Sequence, residues 1–447
     1  ARGWHALTRR GMQLDLPPGR LADAVDANRR FLLLFHDGGD ITPGPFTYHR
    51  FWFRDAAYML SALDAYGFHQ ESREVIDHFR DRQRVDGFFL SQRQEWDANG
   101  AAIYAMAEHW RLTGDGSVID ATAIEHAVRW IERMRNRKRK RRDPALRGLL
   151  PPSVSAEHLG PLDTYYWDGF WSLRGLVDGA AMLRASGAEE PARRAEEWAV
   201  GLRRDIDSSL ALVEARLGSK VIPAGPRRRI DPAIIGSLVA CWPLRLWAAD
   251  DPRIAATTEA IRERFCIERA FFQGISHTGL GTYLTMQLAF VELEAGDRRA
   301  IDRLEWMIEA AMPTMTWPEA IHPQLGGGCM GDGHHGWAAA DLLTFVRRIL
   351  IRETGPAAAG GGTENGLALC TMLPAAWQGQ PIEVHDAPTY FGRLSFVLRW
   401  HGDRPALLWE LDKRNDAPVR ITAPGLDPTW STTDPRGDAL LGPVGVP

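Results

Sequence analysis

Residues 279–295 read GLGTYLTMQLAFVELEA, a stretch whose only charged residues are Glu292 and Glu294. A helix that is apolar on nearly every face belongs inside a protein. Residues 69–85, HQESREVIDHFRDRQRV, carry many charges instead and predict an amphipathic helix with one face in water. The contrast between these two kinds of helix recurs along the chain and indicates an inner and an outer layer.

Periodicity and capping signals predict twelve helices, with no strand among them. They cover residues 20–35, 51–66, 69–85, 97–113, 117–138, 168–186, 189–216, 232–249, 252–267, 279–295, 298–311 and 333–354. The odd-numbered helices are rich in charge and the even-numbered ones are mostly apolar. This alternation predicts a mainly α fold, an (α/α)6 toroid in which six outer helices surround six inner ones. A helical solenoid is the alternative, but the chain has no fixed sequence repeat.

The character of the sequence changes after Thr354. Residues 355–366, GPAAAGGGTENG, predict a linker of small residues. Short segments of strand-like alternation follow it, separated by turns. The predicted organisation is a helical catalytic domain of residues 1–354, the linker, and a small β-rich domain of residues 367–447.

Composition excludes several classes of function. A formal net charge of −4 gives no electrostatic reason to expect a nucleic-acid or membrane partner, and the basic run 135–144 is interpreted as a solvated loop. No apolar run reaches the roughly 20 residues of a membrane span. The four cysteines are far apart, so reduced thiols are expected. The start of the sequence has no apolar signal region, which favours a cytoplasmic location. It also lacks Met, which leaves processing of the terminus open. The sequence does not predict an oligomeric state.

The predicted toroid concentrates its long loops on one face. Alternate helices run antiparallel, so all inner helices begin at the same end of the ring. The loops that enter them, such as 48–55 and 317–337, are rich in aromatic and ionisable residues, whereas the opposite connections are short and polar. Long loops of this kind on one face predict a functional face.

Four of these loops combine a tryptophan with a carboxylate. The residues are Trp52 with Arg54 and Asp55, Trp96 with Glu95 and Asp97, Tyr166 and Trp167 with Asp168, and Trp317 with Glu319. An indole face binds the apolar surface of a sugar, and a carboxylate holds hydroxyls or moves protons. The loops therefore predict one carbohydrate site, with an oligosaccharide or polysaccharide as the partner.

Plainer interpretations stay open for some of these residues. Asp97 and Asp168 stand where they could simply cap a helix, and Arg54 with Asp55 could form a structural ion pair. Glu319 follows Pro318 in a loop with no helix beside it to cap, so a structural role explains it less well.

The last loop, GGGCMGDGHHGW at 326–337, adds His334, His335 and Trp337 as candidate sugar contacts. Adjacent histidines in a loop seldom bind one metal ion together, so no metal site is predicted. The chain also lacks a Gly-x-Ser-x-Gly motif and a phosphate-binding glycine loop. Neither covalent serine catalysis nor a cofactor is expected.

The chain resembles the (α/α)6 glycoside hydrolases around glucoamylase, glycoside hydrolase family 15, with trehalases and debranching glucosidases as more distant relatives. The resemblance rests on the Trp52-x-Arg54-Asp55 motif, on a carboxylate directly after Trp167, and on WPEAIHP around Glu319. It implies that Arg54 and Asp55 hold the terminal sugar. It also implies Asp168 as the general acid and Glu319 as the general base. The family acid is usually Glu, which keeps Glu95 as a rival acid.

The resemblance implies inverting, exo-acting hydrolysis of an α-linked oligosaccharide or glucan. Bacterial glucoamylases usually carry a β-sandwich before the ring, whereas the β-rich part here follows it. Three alternatives stay open: a sugar epimerase that uses His277 and His335, a phosphorylase, and a non-catalytic carbohydrate-binding protein.

Overall fold

The computed structural model describes residues 2–137, 141–154, 160–274, 278–356 and 364–443. These residues form twelve α-helices: α1 (Arg2–Thr8), α2 (Arg20–Leu34), α3 (Phe53–Ala65), α4 (His69–Asp77), α5 (Ala98–Thr113), α6 (Ala121–Asn136), α7 (Tyr166–Ala185), α8 (Glu189–Leu217), α9 (Pro252–Phe265), α10 (Thr282–Glu294), α11 (Arg299–Glu309) and α12 (Gly336–Leu350). Short 3-10 helices cover His78–Arg82, Gly116–Val118, Pro144–Leu146, Pro232–Ala240 and Ala375–Trp377. The mainly helical character predicted from the sequence is confirmed.

Six of these elements contact one another in a cycle. Helix α3 packs on α5, α5 on α7, α7 on the 3-10 helix Pro232–Ala240, that helix on α10, α10 on α12, and α12 on α3. Helices α4, α6, α8, α9, α11 and α2 pack outside them in the same order. Twelve of the 13 residues of α10 are buried, against eight of the 29 residues of α8. The mostly apolar helix α10 is therefore buried on nearly every face, whereas the charged helix α8 is buried on one face.

The predicted helix 232–249 is wrong as an α-helix. Its first half is the 3-10 helix Pro232–Ala240, in which the Asp231 carboxylate accepts the Ala233 N–H, and turns follow it. Pro243 has no N–H to donate, and its ring clashes with the carbonyl of a preceding helical turn. Residues 233–240 are all buried, and the segment lies among the inner elements without forming a regular α-helix.

The prediction that no strand interrupts the helices is also wrong. Strands β2 (His36–Asp37) and β3 (Asp40–Ile41) form a hairpin, and a five-stranded sheet contains β4 (Cys266–Ile267), β5 (Ala270–Gly274), β6 (Thr278–Gly281), β7 (Ala320–Ile321) and β8 (Gly328–Met330). Strands of two to five residues are too short for alternation to mark them. Residues 351–354, which the sequence assigned to the last helix, form β9 (Ile351–Thr354) instead.

The other strands form two sheets, which are built mostly from the C-terminal part of the chain. One has the order β1 (Gln13–Asp15), β11 (Ile382–Thr389), β12 (Gly392–His401), β13 (Arg404–Lys413) and β16 (Arg436–Leu440). The second has the order β15 (Asp427–Thr432), β14 (Arg420–Ala423), β10 (Gly366–Leu369) and β9. The predicted strands after the linker are confirmed. The pairing of β1 with β11 brings the N-terminal segment into the first sheet.

The basic run 135–144 does not begin as a solvated loop. Arg135, in the last turn of α6, is buried and its Nη1 lies 2.8 Å from Glu132. Residues 138–140 lie outside the described part of the chain. Among the described helices, none combines the length and the apolar content needed to cross a bilayer.

Candidate functional site

An ion-paired cluster joins the starts of α3 and α5. Nη1 of Arg54, in the first turn of α3, lies 3.3 Å from Oε2 of Glu95 and 3.0 Å from Oδ2 of Asp97. Its Nε lies 3.9 Å from Oδ2 of Asp55. All four side chains are buried. The guanidinium thus holds the two carboxylates of the next loop beside the first turn of α3.

Asp97 extends the cluster to α7. The indole N–H of Trp167 donates to Oδ2 of Asp97 at 2.8 Å. Asp97 is the N-cap residue of α5, but its side chain makes no capping hydrogen bond. The helix-capping interpretation of Asp97 is therefore wrong, because Arg54 and Trp167 are its partners instead.

Asp168, the third residue of α7, is buried in this cluster. The Ser153 hydroxyl donates to its Oδ2 at 2.5 Å. Burial raises the pKa of Asp168 well above its usual range, and the charges of Asp97 and Glu95 add to the effect, outweighing Ser153 and Arg54. A carboxyl group with a raised pKa keeps its proton near neutral pH, as a general acid must.

Glu319 is held by two phenols. The Tyr48 hydroxyl donates to its Oε2, and the Tyr283 hydroxyl donates to its Oε1 across 3.5 Å. The main chain is fixed as well, since the Thr282 N–H at the start of α10 donates to the Glu319 carbonyl at 3.1 Å. The carboxylate is thus oriented by the loop that enters α3 and by the first turn of α10.

Asp332 connects the last loop to the Tyr48 loop. Its carboxylate accepts the N–H of Phe46 at 2.9 Å and that of Thr47 at 2.8 Å. Burial opposes ionisation of Asp332, but the N–H groups of Thr47 and Phe46 prevail and hold its pKa below the usual range. The carboxylate therefore fixes the segment that carries Tyr48.

The two histidines of the last loop point to different neighbours. His334 packs edge-on against Phe31 of α2, with ring centroids 4.6 Å apart. His335 caps α12 by accepting the Ala338 N–H on Nδ1, and burial lowers its pKa to about 3. His335 is therefore neutral near pH 7 and donates no acidic proton there, while His277 lies outside the described residues. No three potential metal ligands converge among the residues with a described position.

Trp52 has the exposure expected of a sugar contact. It is half-buried, with the Arg50 guanidinium carbon 4.5 Å from its ring centre and the Tyr48 ring edge-on at 6.1 Å. Trp337 stacks on Tyr58 at 4.1 Å, inside the cycle of inner helices. Its ring centre also lies 4.8 Å from that of Tyr283, so Trp52 and Trp337 each contact a tyrosine that is bonded to Glu319.

Trp317 and Tyr166 need correction as predicted sugar contacts, because both are buried with their polar atoms bonded inside the protein. Trp96 and His334 are half-buried, and His334 faces the outer helix α2. The indole N–H of Trp317 donates to the Met307 carbonyl at 2.7 Å. The Tyr166 hydroxyl lies 2.7 Å from the Ser209 hydroxyl of α8, and the Trp96 N–H donates to the Pro152 carbonyl at 3.1 Å. Buried Trp and Tyr residues take a hydrogen-bond partner for their polar atom, and here the protein supplies it.

Trp317→Phe is expected to lower stability and leave KM unchanged. The substitution leaves the Met307 carbonyl without its donor, which costs about 1–3 kcal/mol for a buried group. Urea denaturation and steady-state kinetics measure the two effects. A tenfold rise in KM with unchanged stability would contradict this prediction and indicate that Trp317 contacts the sugar.

Tyr48, Tyr283 and Ser153 were not identified from the sequence. Tyr48 and Tyr283 lie in segments already predicted to be functional, and a tyrosine near the start of an inner helix is the sequence feature that could have identified them. Ser153 stands in PPSVS, where nothing marks it as a partner of Asp168.

Comparison with known proteins identifies the class that shares this architecture. No family model matches the chain. An uncharacterized glycosyl hydrolase of Methanocaldococcus jannaschii is 23% identical over 333 residues, which is 67% of this chain and 51% of the relative. The chain thus spans about half the length of the curated relative that it matches.

Solved structures of glycosidases align with the chain at low identity. A glycosidase variant in complex with glucose has a TM-score of 0.55 and 16% identity, covering 73% of this chain and 96% of that one. A bacterial glucoamylase complexed with acarbose has a TM-score of 0.58 and 13% identity, covering 78% and 58%. A family 78 rhamnosidase of Bacillus sp. GL1 has a TM-score of 0.63 and 13% identity, covering 93% and 42%. The chain therefore has a fold that is found in glycosidases.

Proposed function

We propose that this chain is an inverting glycoside hydrolase on an (α/α)6 toroid that releases a terminal sugar from an α-linked oligosaccharide or glucan. The observation that carries the proposal is the contrast between two buried carboxyl groups. Asp168 sits among other carboxylates with its pKa raised, whereas Glu319 is held by two hydroxyl donors. Environments that separate a proton donor from a proton acceptor are typical of glycosidase acid–base pairs.

The reaction follows from these two roles. Asp168 gives its proton to the glycosidic oxygen as the bond from that oxygen to the anomeric carbon breaks. Glu319 takes a proton from a water molecule that attacks the anomeric carbon from the opposite face. Trp52, Arg54 and Asp55 bind the terminal sugar in this scheme, and the acarbose and glucose complexes of fold relatives support a sugar ligand.

The hydrogen bonds favour Asp168 over Glu95 as the acid. Glu95 is ion-paired with Arg54, and a nearby cation favours the charged carboxylate. Asp168 has a neutral hydroxyl partner and negative neighbours, which favour the protonated acid. Glu95 is therefore proposed as a residue that orients Arg54 for substrate binding.

Asp168→Asn is expected to stabilise the protein increasingly as pH rises. The raised pKa means that the folded protein keeps a proton that the unfolded chain releases above about pH 4, so the wild type loses stability as pH increases from there. The amide has no such penalty. Calorimetric Tm values from about pH 4 to about pH 8 should show a growing difference in favour of the variant. Asp77→Asn, at an exposed position, is the matched control, and a pH-independent difference for Asp168→Asn would contradict the account.

A substrate panel tests the proposal. Maltose, isomaltose, trehalose and nitrophenyl α-glycosides of glucose and rhamnose are incubated with and without phosphate, and free sugar is measured. Hydrolysis in the absence of phosphate supports the proposal. Sugar phosphate formed only with phosphate would indicate a phosphorylase, isomerised sugar an epimerase, and binding without turnover a non-catalytic protein.

A further inference from the structure

Segment 152–154 is fixed by a hydrogen bond at each of its three residues. The Pro152 carbonyl accepts the indole N–H of Trp96 at 3.1 Å. The Ser153 N–H donates to the Asp163 carbonyl at 2.9 Å, and the Val154 N–H donates to the Gln94 carbonyl at 2.9 Å. The segment is thus bound both to the loop that carries Glu95 and to the loop that enters α7.

The side chain of Ser153 extends from this fixed segment to the proposed acid. Its hydroxyl is 2.5 Å from Oδ2 of Asp168, and the exposed fractions of the two residues are only 1% and 2%. A carboxylic acid carries one proton on one of its two oxygens. A hydroxyl that donates to Oδ2 therefore leaves the proton on Oδ1.

We infer that Ser153 is a positioning residue that selects Oδ1 of Asp168 as the proton-donating oxygen, with Trp96 holding the segment that presents it. The inference rests on the proposed function and assigns Trp96 a role away from the sugar. Holding the carboxyl plane also prevents the rotation that would exchange its two oxygens. A small misplacement of a catalytic group costs about 100-fold in rate.

The leaving group provides a readout that a merely structural role would not change. When the leaving oxygen belongs to a sugar, the O–H bond of Asp168 breaks and the proton moves to that oxygen as the glycosidic bond breaks. Fluoride departs with the bonding electron pair and does not depend on that proton to the same extent. Loss of acid positioning should therefore slow disaccharide cleavage much more than cleavage of a glycosyl fluoride.

Ser153→Ala tests the inference on two probes, maltose and α-glucosyl fluoride, or the equivalent pair for whichever disaccharide of the panel is cleaved. We expect kcat/KM to fall about 10- to 100-fold on the disaccharide and less than about threefold on the fluoride. The alkaline limb of the disaccharide pH profile should shift upward, because the lost hydroxyl bond favoured ionisation of Asp168. Ser153→Thr, which keeps the hydroxyl, should restore much of the loss.

Two further variants complete the test. Trp96→Phe keeps an aromatic ring but loses the N–H to Pro152, so a smaller loss with the same dependence on the leaving group is expected. Ser186→Ala, at the exposed C-cap of α7, is the matched serine control and should change neither probe. If the Ser153→Ala protein folds and loses activity equally on both probes, or loses none, the inference is overturned.

Failure of the inference can be distinguished from failure of the proposed function. Asp168→Asn should show the strongest selective loss on the disaccharide. If Asp168→Asn shows that loss but Ser153→Ala does not, only the positioning role is overturned. If Glu95→Gln shows the leaving-group signature and Asp168→Asn does not, the acid assignment fails and the Ser153 inference fails with it.

Discussion

Glu319→Gln is expected to lower kcat by about 10³-fold on any substrate that the wild type hydrolyses, with little change in KM or Tm. The amide has nearly the same shape and still accepts the hydrogen bond from Tyr48, but it cannot take a proton from the attacking water. Steady-state kinetics gives the loss, and thermal unfolding shows whether the fold is intact.

Glu309→Gln is the matched control for this variant. Glu309 is an exposed glutamate of α11 that is paired with Arg269, so its substitution should leave kcat unchanged. If Glu319→Gln keeps more than about a tenth of the wild-type kcat, Glu319 is not the general base. The base would then have to be sought among the other buried carboxylates of the site.

Arg54→Ala is expected to have the largest effect on stability. The variant leaves Glu95 and Asp97 buried together without the cation that lies 3.3 Å and 3.0 Å from them. Removing one partner of a buried ion pair typically costs about 3–5 kcal/mol of unfolding free energy. Substrate binding should weaken as well, because the first turn of α3 loses its connection to the start of α5. Urea denaturation measures the first effect and kcat/KM the second.

Two further arginine variants test whether the loss of stability depends on the guanidinium group of Arg54 and on its burial. Arg54→Lys keeps the charge but loses the planar fork, so an intermediate loss of stability is expected. Arg184→Ala breaks an exposed ion pair with Glu196, and such pairs contribute little to stability, so almost no loss is expected. A loss below about 1 kcal/mol for Arg54→Ala would contradict the description of this cluster as a buried charge network.

The inner helices were predictable because a helix that is apolar on all faces can only be buried. GLGTYLTMQLAFVELEA met that condition, and α10 forms there. The segment 233–249 nearly met it too, with Arg245 as its one charged residue, yet a 3-10 helix forms over Pro232–Ala240 and turns follow it around Pro243. Burial was therefore predictable where the backbone conformation was not. The short strands between α9 and α12 depend on pairing with distant segments, which local periodicity does not report.

The catalytic candidates could be named from local motifs, but their partners could not. Asp168 follows Trp167 in the first turn of α7, and Glu319 lies two residues after Trp317 in the loop that leads to α12. Tyr48 is 271 positions from Glu319 in the chain, and only the fold brings its hydroxyl to that carboxylate. The error over Trp317 has a similar origin, since an indole ring suits both a sugar site and a buried core. Its bond to the Met307 carbonyl distinguishes the two roles.

The most direct test of the central claim is proton NMR of the sugar anomer that forms first during hydrolysis. Water attack assisted by Glu319, opposite the bond protonated by Asp168, predicts that the first product has the anomeric configuration opposite to that of the cleaved bond. Mutarotation then restores the equilibrium mixture. A first product with the original configuration would contradict the account, because it would require a covalent nucleophile in place of a general base.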